Sequence, residues 1–90
     1  MEFKHSPAPW NSHIKYLDYT IVRDANDKKI TFLSHGCSEA NANLITAAPE
    51  LLEALINLTE YTDAYFEKGD EIPASLIKAK AAIAKALGQQ

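Results

Sequence analysis

Apolar and polar residues alternate from Ile14 to Arg23, which is the period of a β-strand with one face more apolar than the other. Asp24-Ala25-Asn26-Asp27 follows, and Asp and Asn favour tight turns. The alternation resumes from Lys29 to Ser34. The pattern predicts a two-stranded β-hairpin over residues 14–35. Because such a hairpin is marginal alone, it must lie on helices, pair with the preceding arm, or extend a sheet in a partner subunit.

The pattern changes to helical spacing after the link His35-Gly36-Cys37. Ser38 is a suitable N-cap, and Glu39 stands in the first turn, where the helix dipole favours an acid. Pro49 interrupts the pattern, and proline is tolerated at the first position of a helix. We therefore expect a short helix that ends near Ala48 and a second that begins at Pro49. A single kinked helix is the alternative.

The stripe after Pro49 is strongly apolar and predicts a buried helix face. Its members are Leu51, Leu52, Leu55, Leu58 and Thr62, with Ile56 widening it and Tyr61, Tyr65 and Phe66 continuing it. Lys68-Gly69-Asp70 is expected to end this helix. A last helix is predicted from Pro73 to Gly88, with Leu76, Ala79, Ile83 and Leu87 on one stripe. A short connection predicts an antiparallel helical hairpin.

The first residues carry two prolines, Pro7 and Pro9, which disfavour helix. Residues 1–13 are therefore expected to form an extended arm that ends near Trp10. We interpret Trp10 as a plug for a core or an interface, with stacking on a ligand as the alternative. The predicted fold class is α+β: an N-terminal hairpin with its arm, packed on a helical part over residues 38–88. We expect one domain over residues 1–90.

Composition and charge narrow the class of protein. With 47% hydrophobic and 23% charged residues the chain is globular rather than disordered. A net charge of −3 and a single arginine, Arg23, make nucleic acid an improbable partner. No apolar run reaches the length of a membrane span, and no signal peptide is recognised, so we expect a cytoplasmic protein. Because small cores need support and one cysteine forms no internal disulfide, we expect a homo-oligomer.

No residue set predicts catalysis. Cys37 stands two residues from His35, but that spacing in a loop rarely orients a thiolate and its base, and a lone cysteine usually fills a core. The same pair lacks two further ligands for zinc. We therefore expect no enzyme activity, no metal and no cofactor.

Binding residues are easier to nominate. Tyrosine is favoured at interfaces, so Tyr61 and Tyr65 are candidates for a subunit or partner surface, although packing against the last helix would also explain them. Ser38 and Asn41 stand where a helix begins, and such a terminus favours an anion such as the phosphate of a nucleotide. Capping of the helix is the alternative interpretation for both residues. Trp10 completes the candidate set.

Two segments resemble a known group of proteins. The segment His5-Ser6-Pro7-Ala8-Pro9-Trp10 resembles the His-Thr-Pro-Gly-Pro-Trp opening of small tailed-bacteriophage and prophage proteins. Residues 41–55, NANLITAAPELLEAL, are similar to their NARLIAAAPELLEAL segment. The chain departs from that pattern at Asn43, where the group often has arginine, so no anion-binding role of that arginine is carried over.

The resemblance implies phage origin and action in the cytoplasm of the infected bacterial host. Small acidic phage proteins of this kind are often host-takeover or anti-defence factors. We therefore expect a non-enzymatic accessory protein that binds and inhibits a host defence protein. The alternative is an oligomeric sponge that sequesters a nucleotide immune signal, such as a cyclic dinucleotide or an ADP-ribose derivative.

Overall fold

The computed structural model describes residues 5–16, 19–34, 39–67 and 69–89. Three strands come first, β1 (Asn11–Tyr16), β2 (Tyr19–Arg23) and β3 (Lys29–Ser34). Two helices follow, α1 (Glu39–Asp63) and α2 (Ala74–Ala86). The predicted α+β class is confirmed. The chain divides into two compact units, residues 1–50 and 51–90, which we describe separately. The expectation of a single domain stays a prediction.

The three strands form one antiparallel sheet in the order β1-β2-β3. The prediction of a single strand from Ile14 to Arg23 is wrong, because this stretch contributes to both β1 and β2. The reason is that pairing with a second neighbour satisfies both edges of β2. Its Ile21 and Val22 are both buried, and Val22 is fully inaccessible to solvent. The segment after Trp10 therefore pairs with the hairpin, one of the three arrangements expected. Leu17 and Asp18 lie outside the described residues.

The turn between β2 and β3 is built around Asp24, as the sequence predicts. The buried Asp24 accepts hydrogen bonds at Oδ1 from the amides of Asn26 at 2.8 Å and Lys28 at 3.0 Å. The Asp24 amide in turn donates to the Lys28 carbonyl at 2.9 Å. Asp27 takes a left-handed backbone conformation with φ of 63°, which Asp tolerates better than most residues. One carboxylate thus organises the whole turn.

Residues 5–10 fold back on themselves, so the prediction of an extended arm is wrong for them. The Trp10 indole Nε1 donates to the Ser6 carbonyl at 3.1 Å, and the Ala8–Pro9 peptide bond is cis. The Pro7 carbonyl accepts a hydrogen bond of 3.0 Å from the amide of Ala25. The prolines exclude helix as expected, but these hydrogen bonds favour a closed turn over an extended one. The closed segment is thereby tied to the β2–β3 turn.

The first helix is continuous across Pro49, so the prediction of a separate short helix is wrong and the single helix is the correct alternative. Proline removes one amide donor from the helix, a cost of about 3 kcal/mol. Strong helix formers flank it, with Ala47 and Ala48 before and Leu51 and Leu52 after, and they offset that cost. Whether Ser38 caps the helix concerns residues outside the described part, as does the link before it.

The end of α1 also differs from expectation, because the helix stops at Asp63 rather than near Lys68. The amides of Tyr65 and Phe66 bond three residues back, at 3.0 and 3.1 Å, which tightens the final turn out of the α-helix. Gly69, with φ of 97°, serves a separate turn in which the Asp70 amide donates to the Glu67 carbonyl at 3.0 Å. The prediction that Lys68-Gly69-Asp70 ends α1 is therefore wrong.

The second unit combines the end of α1 with α2. Its buried side chains are Ile56, Thr59, Leu76 and Ile83. Lys80 Nζ lies 2.9 Å from Asp63 Oδ1 and joins the two helices. The predicted limits of the last helix are confirmed to within two residues. Pro73 precedes the first residue of α2, and Gly88 lies just beyond the end of this helix, with φ of 71°.

Gly88 ends α2 with paired backbone bonds. Its amide donates to the Lys85 carbonyl at 3.1 Å, and the Gln89 amide donates to the Ala84 carbonyl at 2.8 Å. This is the Schellman arrangement, which satisfies carbonyls that a helix terminus leaves unpaired. No helix in the described part of the chain has the length and apolar character needed to cross a membrane.

Candidate functional site

One side of α1 in the second unit is apolar and faces solvent. The sequence predicted one broad buried stripe on this helix, and the structure corrects that prediction. Burial is centred on Ile56 and Thr59, whereas the other side stays exposed. We call this side the α1 apolar face; Leu51 (52% exposed), Leu58 (62%) and Tyr61 (64%) lie on the helix, and Tyr65 (68%) continues the face in the turn that follows it. The reason is that α2 covers α1 with only two buried side chains, Leu76 and Ile83.

Tyr61 and Tyr65 form a pair at the end of this face. Their rings meet edge to face, with centroids 5.3 Å apart and an interplanar angle of 71°. Their hydroxyl oxygens lie 2.8 Å apart, which is a hydrogen-bond distance. The side-chain hydrogen bond with Tyr61, and secondarily desolvation, raises the pKa of Tyr65 above 10.0. The interpretation of both rings as packing against the last helix is wrong, because both are exposed.

The charged side chains of α1 are all acidic. From Glu39 to Asp63 the helix contains no lysine, arginine or histidine. Within the second unit, Glu53 and Glu60 are exposed, but each stands two residues after a leucine of the face and therefore points away from it. Asp63 is the carboxylate that pairs with Lys80. The helix is therefore acidic as a whole, but these two glutamates do not flank the apolar face.

Trp10 and Asn41 belong to the first unit. Trp10 is half-buried, and its ring meets that of His5 edge to face, with centroids 6.0 Å apart. This contact and the Ser6 hydrogen bond make Trp10 a local anchor of the closed segment. Asn41 is exposed in the first turns of α1, and Ser38 lies outside the described residues. Of the predicted residues, Tyr61 and Tyr65 are in direct contact with each other.

Histidine, cysteine and acidic side chains are the usual metal ligands in proteins. Within residues 5–16, 19–34, 39–67 and 69–89, no three His, Cys, Asp or Glu side chains come close enough to share a metal ion. Cys37 and His35, the pair considered for catalysis or zinc, lie outside those ranges.

Sequence reasoning missed two members of the exposed face, because Leu51 and Leu58 were assigned to the core. A signal for them exists in the sequence. Leu51, Leu58 and Tyr65 are each seven residues apart, and Tyr61 stands three residues after Leu58. The buried Ile56 and Thr59 belong to a second set on the other side of the same helix. Assigning these apolar residues to two sets with separate spacings would have identified both apolar sides of the helix.

Fold and surface together define a small α+β protein, with a three-stranded antiparallel sheet followed by two helices and an exposed apolar helix face. The family model described as Salmonella phage P22 protein Y8K6 matches residues 1–90. The chain therefore belongs to this phage protein family, which confirms the phage origin that the resemblance implied. No curated protein matches the chain at a significant level, and no solved structure does.

Proposed function

We propose that this phage protein is a non-enzymatic accessory factor that binds and inhibits a host protein in the infected bacterium, as an anti-defence or host-takeover factor. The observation that carries the proposal is the α1 apolar face, where two leucines and two tyrosines are more than half exposed. A contiguous apolar patch of this kind on a small protein commonly marks a site of protein interaction. Tyrosines at its end supply contact area together with polar tips.

The chemistry of the face favours a protein target over a nucleotide. A nucleotide signal carries phosphates, and phosphate sites are built from arginine, lysine or helix amino termini. The α1 apolar face instead lies on a helix without any cation. Its two tyrosines are of a residue type that is enriched at protein interfaces. Homo-oligomerisation stays a prediction, to be measured by sedimentation of the purified protein.

A site-specific photo-crosslink tests the proposal in infected cells. A photoreactive phenylalanine analogue replaces Tyr61 in the face, and as a control it replaces Ile77, which is 57% exposed on α2. We expect a host protein to be captured from position 61 and not from position 77. The captured protein is then purified, and its binding to the phage protein is measured directly.

Matched variants connect that binding to a biological effect. Leu58→Glu places a charge in the face, whereas Ile77→Glu makes the same change at an exposed site on α2. We expect Leu58→Glu to abolish binding of the captured protein and the benefit that the phage gains in its host, and Ile77→Glu to preserve both. Full benefit from the Leu58→Glu variant, or a nucleotide retained by the purified protein in native mass spectrometry, would contradict the proposal.

A further inference from the structure

Pro49 stands inside α1, close to the boundary between the two compact units. The first unit ends at Glu50, one residue after the proline, and Pro49 is buried whereas Glu50 and Leu51 are exposed. Because proline has no amide hydrogen, position 49 donates no hydrogen bond to the Ile45 carbonyl, and the proline ring crowds that carbonyl. This turn of α1 is therefore weaker than the same turn would be in a helix without proline.

Thr46 adds a second local penalty to the same part of α1. Its hydroxyl donates a hydrogen bond of 3.0 Å to the Asn43 carbonyl, three residues back in the same helix. A side-chain hydroxyl in this position competes with the helical amides for the carbonyl, and the branched Cβ of threonine lowers its helix propensity. Two independent features thus weaken α1 immediately before the boundary between the units.

The second unit is less consolidated than the first. Val22 of the first unit is fully inaccessible to solvent, whereas the buried side chains of the second unit remain 4–8% exposed, at Ile56, Thr59, Leu76 and Ile83. Most of the large apolar side chains that stay exposed also belong to the second unit, namely Leu51, Leu58, Tyr61, Tyr65, Ile72 and Ile77. Apolar surface left in water contributes nothing to keeping a unit closed, so the second unit should open at a lower free energy than the first.

From these observations we infer that α1 is built to open at Pro49, so that residues 51–63 unfold together with α2 while the first unit stays folded. Proline is costly inside a helix but well placed just beyond the end of one, so the open state relieves a penalty that the closed helix bears. The open state is a minor population of the native protein, as local openings of folded proteins are. The inference concerns the free protein and does not rest on the proposed function. It departs from the prediction of one domain over residues 1–90.

Native-state hydrogen exchange of the full-length protein, followed by NMR, tests the inference. We expect the central amides of residues 51–63 and of α2 to share one protection factor, about tenfold or more below that of the β2 amides. Low concentrations of urea should accelerate exchange less steeply in these helical segments, because partial opening exposes less surface than complete unfolding. Equal protection or equal urea dependence in the helices and β2 would indicate one cooperative domain and overturn the inference. Stronger protection of the helices, or different protection of residues 51–63 and α2, would overturn it as well.

A variant of the first unit separates local opening from complete unfolding. Val22→Ala removes two methyl groups from a fully buried side chain and should lower the protection of the β2 amides about tenfold or more. The protection of the second unit should change less than about twofold, because the first unit is folded whether the second is closed or open. A parallel loss of protection in both units would overturn the inference. Should Val22→Ala fail to fold, Asp24→Ala provides the same comparison through the β2–β3 turn.

Pro49→Ala tests the position at which the helix opens. Alanine restores the hydrogen bond to the Ile45 carbonyl and should raise the protection of the second unit roughly tenfold or more. Asn57→Ala is the matched control, because it places an alanine at an exposed position of α1 beyond the boundary and should raise protection only about threefold or less. An equal effect of the two substitutions, or lower protection in Pro49→Ala, would overturn the inference that α1 opens at Pro49.

Discussion

Removing the Asp24 carboxylate should destabilise the first unit of the protein. Asp24 Oδ1 accepts the amides of Asn26 and Lys28, at 2.8 and 3.0 Å, and the residue is buried. A hydrogen bond to a charged group contributes about 1.5–3 kcal/mol. Because Asn26 and Lys28 are themselves exposed, water replaces part of what Asp24→Ala removes. We therefore expect a loss of about 1–3 kcal/mol from both bonds together.

Trp10 provides a local probe for this experiment. The closed segment that contains it is tied to the turn by the hydrogen bond from the Ala25 amide to the Pro7 carbonyl. Thermal unfolding followed by Trp10 fluorescence should show a midpoint roughly 5–15 °C lower in Asp24→Ala, from the usual scaling for a domain of this size. Asp24→Asn is the control, because it keeps an oxygen at the same position and should lose less than half as much. Equal losses in the two variants, or no loss in either, would refute this account of the turn.

Three further predictions concern the second unit. Gly88→Ala should lower the thermal midpoint measured by circular dichroism, because a backbone φ of 71° costs an alanine about 1–2 kcal/mol. The new Cβ would have no atom within 4 Å, so the cost comes from the backbone, and an unchanged midpoint would contradict this prediction. A double-mutant cycle on Lys80 and Asp63 should give a coupling of about 0.2–1 kcal/mol that shrinks with salt, because both side chains are nearly half exposed. In an ultraviolet titration Tyr65 should ionise with a pKa above 10.0, because its hydrogen bond with Tyr61 stabilises the neutral phenol. Any stability that this hydrogen bond contributes is complete below pH 10 and is lost as the pH rises through the pKa of Tyr65 in the folded protein. Tyr65→Phe should therefore make the stability of the protein less dependent on pH in that range.

The fold was predictable where local chemistry decides it. The side chain of Asp24 and the backbone preference of Asp27 stabilise the β2–β3 turn directly. The position of this turn could therefore be predicted from the sequence. Gly88 marks the end of α2 for the same reason. The extent of α1 was not predictable in this way. At Pro49 a local penalty competes with helix formers on both sides, and only the sum over many residues gives one continuous helix.

The candidate site was predictable only in part, because exposure is a property of the assembled unit. The residue type of Tyr61 and Tyr65 indicated an interface, and both are exposed as an interface would require. Leu51 and Leu58 carried no such mark, since a leucine on an amphipathic helix is usually buried. Their exposure follows from how little of α1 the second helix covers. No pattern within α1 itself states which of its two apolar sides meets α2.

The uncovered side is a consequence of the number of helices. Beyond Pro49, α1 carries apolar residues on both sides, and a helix that is apolar all round needs neighbours on both sides. The second unit supplies one neighbour, the 13-residue α2, whose Leu76 and Ile83 are buried in this unit together with Ile56 and Thr59. One helix covers one side, so the side bearing Leu58 has no helical neighbour among the described residues of this unit. Exposed leucines at heptad spacing reduce the solubility of a monomer, and that cost is offset when another helix docks against them.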